Sequence, residues 1–399
     1  MGCVGAGPKS LSCRLTEAAL HFALHPSGPL ERSTRLGTDP QARYWLALRS
    51  ISGVGDVACR RLGEALGSAE AVFYAPPAEL ARAGVTRRAA REIRAFAGWA
   101  EVDRELERAR ELGVDLVCLG EKRYPIGLSF THDPPPVLYV RGSLGPGDVE
   151  AIAVVGARAA SAYGLATAER LARELAGAGV TVVSGLAIGI DAAAHRGALG
   201  AGGRSIAVLG SGIDRIYPWR HRRLADQVAD CGALVSELPI GTAPEAHHFP
   251  RRNRIVSGLS LGTVVVEASE RSGSLITARL ALEQGREVLA VPGEAGLDRT
   301  RGTHALIRRV ARLAESGAHV LEDVMPWKLP AAPDADAKRT EPPSAVASRV
   351  LAAFENATEH VDRLIERSGL GAARVLEVLL ELELDGRVKQ YPGKRFVRR

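Results

Sequence analysis

Between residues 151 and 291 the chain alternates short, continuous apolar runs with stretches whose apolar residues recur every three or four positions, and few folds accept that alternation. Residues 151–155, Ala-Ile-Ala-Val-Val, read as a strand buried on both faces. Gly156 follows, then a helical stretch in which Leu165, Ala168, Leu171, Ala172 and Leu175 share one side, then a second strand at 180–183. That is a βαβ unit. The pattern continues through 205–209, 233–235, 263–266 and 287–291, which predicts an α/β fold built on a doubly wound, mostly parallel sheet. Ligands of such sheets gather outside the carboxyl ends of the strands.

Three segments fall at that end. The first is Gly156-Ala157-Arg158-Ala159-Ala160-Ser161. It is not a G-x-G-x-x-G fingerprint: Arg158 stands where the second glycine lets a pyrophosphate approach, and the next strand ends in Ser184, where an acid would hold a ribose hydroxyl. This argues against an NAD or FAD dehydrogenase. What remains is a phosphate grip from an arginine fork and a serine-capped helix, or a capped helix with a solvated arginine. The second is the Gly-rich turn at 184–195. Ser184, Asp191 and His195 suggest a hydrolase triad, but Ser184 precedes the turn and no G-x-S-x-G elbow exists, so Asp191 as a cap and His195 as a buried, satisfied side chain are the favoured roles. Gly156 and Gly185 are expected to add backbone N–H donors to a ligand.

The third segment is the densest. His247-His248-Phe249-Pro250-Arg251-Arg252-Asn253-Arg254 leads into a small-residue helix and offers three arginines, an amide and one ring. Phosphate forks beside a base-stacking ring suit single-stranded nucleic acid, with Arg251, Arg252 and Arg254 exposed; the competing role is a pairing of Arg254 with Glu267. No Walker A motif occurs, and no catalytic residue, metal ligand set or cofactor is expected.

The flanks differ from this core. Residues 1–40 lack a sustained period and read as a flexible extension; 41–115 read as a small helical domain, in which Gly53 and Gly55 form a hairpin between helices that suits either a backbone phosphate or a tight turn. The core is placed at 116–325 and a proline-rich linker at 326–345. Residues 346–399 supply three helical runs and a hairpin, a winged-helix arrangement whose Lys389, Lys394 and Arg395 are a secondary contact for DNA or a partner protein. The 52 Lys and Arg against 46 Asp and Glu leave +6, which permits a polyanion partner. Five scattered cysteines without a C-x-x-C pair fit a reducing cytoplasm, and no membrane span is expected.

The order of Tyr124-Pro125, Asp133-Pro134-Pro135, Val155-Gly156-Ala157-Arg158, Ser184-Gly185-Leu186-Ala187, Tyr217-Pro218, Phe249-Pro250 with Arg252-Asn253-Arg254, Ser272-Gly273-Ser274 and Ala290-Val291-Pro292-Gly293 resembles the DNA-processing protein A family, also called DprA or Smf. The resemblance implies an extended Rossmann-like core that binds single-stranded DNA, forms a homodimer and loads the RecA recombinase in natural transformation. It further implies that Gly156, Arg158, Ser161, Gly185 and the loop from Phe249 through Arg251, Arg252, Asn253 and Arg254 form the DNA pocket. Rival expectations are a phosphoribohydrolase-like enzyme using Glu267 and a nucleotide sensor.

Overall fold

The computed structural model describes residues 40–329, 345–354, 358–385, 387–391 and 394–398. Apart from Pro40, the expected extension lies outside the described residues, as does most of the expected linker. The chain divides into two compact units, Met1–Pro326 and Trp327–Arg399.

The first unit opens with six helices, α1 (Gln41–Ser50), α2 (Asp56–Leu66), α3 (Ala69–Tyr74), α4 (Pro77–Arg82), α5 (Arg87–Arg94) and α6 (Trp99–Glu111). Two breaks separate helices of this region. Gly67 takes φ +84°, a left-handed closure that ends α2, and Ser68 accepts a bond from the Ala71 N–H at 3.1 Å to cap α3. The break after α5 is filled by Phe96, which packs edge-on against Trp99 at 4.9 Å between centroids and against Phe73 at 5.8 Å.

The sheet follows: β1 (Asp115–Cys118), a short helix α7 (Ile126–Ser129), β2 (Val137–Gly142), β3 (Ala151–Gly156), α8 (Ala162–Gly177), β4 (Thr181–Ser184), α9 (Ile190–Gly200), β5 (Ser205–Val208), α10 (Arg222–Cys231), β6 (Ala233–Ser236), α11 (His248–Gly258), β7 (Gly262–Val266), α12 (Ser274–Glu283), β8 (Glu287–Ala290), α13 (Asp298–Arg309), β9 (Arg312–Leu313) and α14 (Gly317–Val324). Its order is β1-β2-β6-β5-β4-β3-β7-β8-β9. Strands β3 to β9 run parallel, while β2 is antiparallel to both β1 and β6. Successive residues serve opposite faces: Tyr139, Ala207 and Leu234 join the core shared with the N-terminal helices, whereas Val140, Ile206, Val208 and Val235 join the core under α11 and α12. The chain crosses from one side of β3 to the other between β6 and β7, so the switch point of the sheet lies at β3, which has β4 on one side and β7 on the other.

The second unit contains α15 (Ala345–Ala352), β10 (Thr358–His360), α16 (Val361–Ser368), α17 (Ala372–Leu384), β11 (Val388–Tyr391) and β12 (Arg395–Arg398). It is a winged helix around Val350, Leu364, Val375, Leu379 and Phe396. The expected hairpin pairs Val388 with Arg398 and Tyr391 with Arg395, and β10 adds a third strand on β12 that no sequence period announced.

Candidate nucleic-acid interface

A cleft of about 570 Å³ opens at the switch point. Its floor is the end of β3 and the turns after β3 and β4; its walls are the starts of α11, α12 and α13. Among the expected site residues, Gly156, Arg158, Gly185, Phe249, Arg252 and Asn253 line it. Arg158 is exposed, and its guanidinium carbon sits 5.3 Å from the centre of the Phe249 ring. Tyr217 approaches the same ring at 5.8 Å between centroids. Asn253 is half-buried, with its amide 3.5 Å from the Gly273 carbonyl at the start of α12.

The arginines of α11 are engaged by the protein itself, Arg252 within the cleft lining and Arg251 and Arg254 outside it. Arg252 and Arg254 are not exposed: they retain 4% and 5% of their accessible surface. Arg252 donates to the carbonyls of Gly185, at 2.7 Å, and Val208, and burial lowers its pKa to about 10 against the opposing pull of Asp191. Arg254 points away from the cleft into a cage of carboxylates, with Glu237 at 2.5 Å, Asp56 at 2.9 Å and Asp133 at 3.3 Å. Arg251 bonds Asp56 at 2.8 Å and approaches Glu237 at 3.4 Å. A second depression, bounded by Gly55, Asp56, Asp133, Arg251 and Arg254, therefore joins the N-terminal hairpin to α11. Gly53 and Gly55 are themselves exposed, and Asp56 puts a carboxylate at the first residue of α2.

The competing role, a pairing of Arg254 with Glu267, does not occur either. Glu267 accepts from the Ser161 N–H at 2.8 Å and from the Ser161 hydroxyl, while the same hydroxyl accepts from Gly164 N–H at 3.1 Å. Ser161 is thus fully engaged in starting α8, outside the cleft lining. Three backbone donors of the glycine turns are occupied as well: Gly185 and Ala187 N–H groups bond Asp191 Oδ2 at 3.1 and 3.3 Å, and Ala157 N–H bonds the Glu267 carbonyl at 2.8 Å. Burial raises the Asp191 pKa, with Arg252 and these N–H groups acting in the opposite direction.

No triad assembles from the second segment. Ser184 donates to the Val154 carbonyl at 2.7 Å, and His195 meets Ser205 Oγ at 2.7 Å. Because Ser205 gives its own proton to Val182 O, His195 Nδ1 is the donor, leaving a buried, unprotonated Nε2 without a partner; burial lowers the His195 pKa to about 3. Beside the cleft, ligand atoms of Glu245, His247 and His248 lie within 4.8 Å of one another.

A model of the DNA recombination-mediator protein A family matches residues 115–325, and one of the DprA winged helix domain matches residues 331–394. The chain belongs to the DNA recombination-mediator protein A family. Among DprA relatives, Protein Smf of Escherichia coli strain K12 is 44% identical over 284 residues, covering 70% of this chain and 76% of that one. Protein Smf of Synechocystis is 33% identical over 391 residues, covering 89% and 98%. The solved structure of DprA from Streptococcus pneumoniae superposes with a TM-score of 0.63 at 33% identity, covering 72% of this chain and 99% of that one.

Several lining residues of the DprA core went unassigned in the sequence reading. Ser272 and Ser274, whose hydroxyls meet at 2.7 Å, come from the turn before α12 and from its first residue, and Asp298 and Arg299 from the first turn of α13. Ser272-Gly273-Ser274 was visible as a motif; its place on the wall depends on β7 lying beside β3, which a local pattern does not reveal. In the winged helix, Lys389 and Lys394 are exposed, Arg395 is on β12, and the outward side of α17 bears Leu376 and Leu380 beside Glu377 and Glu381. Among the described residues, no helix is long and apolar enough to cross a membrane.

Proposed function

We propose that the protein binds single-stranded DNA in the switch-point cleft, without catalysing a reaction, and hands it to the RecA recombinase in the cytoplasm during natural transformation, acting as a homodimer. The observation that carries this reading is Arg158 standing free over the Phe249 ring at the mouth of the cleft, while Glu267, Ser184 and Asp191 are spent on internal bonds. In this arrangement Arg158 and Arg299 take phosphates, Phe249 stacks a base and Asn253 offers its amide. Arg251, Arg252 and Arg254 hold α11 in place. The family's description as a recombination mediator supports the transfer to a recombinase. A phosphoribohydrolase would need Glu267 facing its substrate, and here both carboxylate oxygens are bonded to Ser161.

The test is anisotropy of a labelled oligothymidylate against the matching duplex, titrated with salt. Arg158→Ala should flatten the log-log salt dependence by about 0.7, the contribution of one neutralised phosphate on a single strand. Phe249→Ala should weaken binding by about 1 to 3 kcal/mol with the slope kept. Equal affinity and slope in both variants, or no preference for the single strand, would defeat the proposal.

A further inference from the structure

Trp219 is 83% exposed, the highest value of any large apolar side chain among the described residues, and no packing explains it. It begins the one-turn helix Trp219–His221 that follows Tyr217 and Pro218. Tyr217 is 49% exposed and stands 5.8 Å from Phe249, a residue of the cleft lining, and Trp219 follows Tyr217 by two residues. The turn is fixed to the cleft wall: His221 Nδ1 bonds the Leu186 carbonyl at 2.8 Å, and the residues on either side of Leu186, Gly185 and Ala187, line the cleft. Around Trp219 the chain is basic. Arg220, Arg222 and Arg223 are exposed and make no ion pair among the described residues, and only Arg215 is balanced, by Asp214 at 3.4 Å.

We propose that Trp219 is a second base-stacking subsite, taking a nucleotide of the strand that has left the cleft past Phe249 and Tyr217, with Arg220, Arg222 and Arg223 neutralising the phosphates beside it. The proposal rests on the cleft being the primary DNA site. An exposed indole held on a rigid turn offers a flat face at little entropic cost, and every base has a face to match it. The neighbouring guanidinium groups supply the charge that a backbone of phosphates requires and an apolar protein partner would not. The subsite lengthens the footprint without adding sequence preference.

The experiment uses the full chain and oligothymidylates of increasing length, with binding followed by anisotropy and by tryptophan fluorescence. In the wild type, affinity rises with length and emission falls as a base stacks on Trp219. Trp219→Ala should leave thermal stability unchanged and lose the gain on lengthening, about 5-fold or more for one stacked base. Trp219→Phe should keep most of that gain while removing the quenching. If Trp219→Ala binds long strands as tightly as the wild type, or the quenching survives in it, the subsite is refuted. Arg158→Ala separates the two readings: its loss of binding at every length with Trp219→Ala silent would sink the subsite alone, whereas wild-type affinity in Arg158→Ala at every length would sink the cleft reading.

Discussion

Replacing Arg254 by Met separates a structural arginine from a DNA-binding one. The side chain retains 6% of its surface and faces Glu237, which retains 2%, at 2.5 Å. Removing the cation from a buried pair costs about 3 to 5 kcal/mol, mostly because the other charge stays buried without compensation. Here the lower end applies, since Arg251 remains 3.4 Å from Glu237 and 2.8 Å from Asp56 through a half-exposed side chain. At about 2.1 cal/mol/K of unfolding entropy per residue, a loss of about 3 kcal/mol in a unit that extends to Pro326 lowers the melting temperature by roughly 5 °C. Adding Glu237→Gln removes the stranded charge and should restore about 1 to 2 kcal/mol, a coupling that a double-mutant cycle in urea, followed by far-ultraviolet circular dichroism, will show. At a temperature where the single variant is folded, the salt slope for oligothymidylate should match the wild type. An Arg254→Met protein as stable as the wild type, with a slope flattened as in Arg158→Ala, would refute the reasoning and return Arg254 to the DNA.

Three further outcomes follow from the geometry. A methyl group at Gly185 would collide with the Arg252 guanidinium, itself held by two carbonyls, so Gly185→Ala should cost about 1 to 3 kcal/mol in urea unfolding and weaken oligonucleotide binding with the salt slope unchanged; a neutral substitution would mean that the arginine has room to move. His195 has a folded pKa of about 3 against an ordinary value of about 6.5, so between these limits the unfolded chain holds the proton that the folded chain refuses. Its contribution is therefore complete above about pH 6.5 and is lost as pH falls, by at most about 1.4 kcal/mol per unit; identical pH slopes for wild type and His195→Gln would contradict this. Alkylation of the native protein followed by peptide mapping should label exposed Cys231 and spare buried Cys59, whose thiol burial pushes up to about 12, with Asp56 acting the same way.

Parallel strands β3 to β8 were legible because each, unlike β9 with its exposed pair Arg312-Leu313, is a short apolar run bounded by glycine or a polar turn, a property of consecutive residues. The antiparallel edge was not: β2 pairs with β6 across nearly a hundred residues, and nothing in Val137-Leu138-Tyr139-Val140 states its direction. The same distinction governs the site. Phe249 and Arg158 could be placed in one cleft because each follows a strand end. The fate of Arg254 could not be read, since its partners Asp56 and Glu237 lie 198 and 17 residues away and one of them belongs to the N-terminal helices. A run of arginines on a helix shows both sides of that helix at once, and only the packing tells which side meets solvent. Trp219 escaped for the opposite reason: a single tryptophan in a polar stretch carries no period.

Helix α11 turns its Phe249 and Asn253 side to the cleft and locks Arg251 and Arg254 onto Asp56 at the start of α2. It therefore acts as a bar between two regions that share one lining residue, Pro250 on the helix itself. Coupling through such a bar is reciprocal: whatever factor an oligonucleotide in the cleft adds to the stability of the Asp56 latch, breaking the latch must subtract from oligonucleotide affinity. Amide exchange in α2 then becomes a remote gauge of cleft occupancy, and the six N-terminal helices become a handle by which the grip on DNA can be tuned without touching a residue of the cleft.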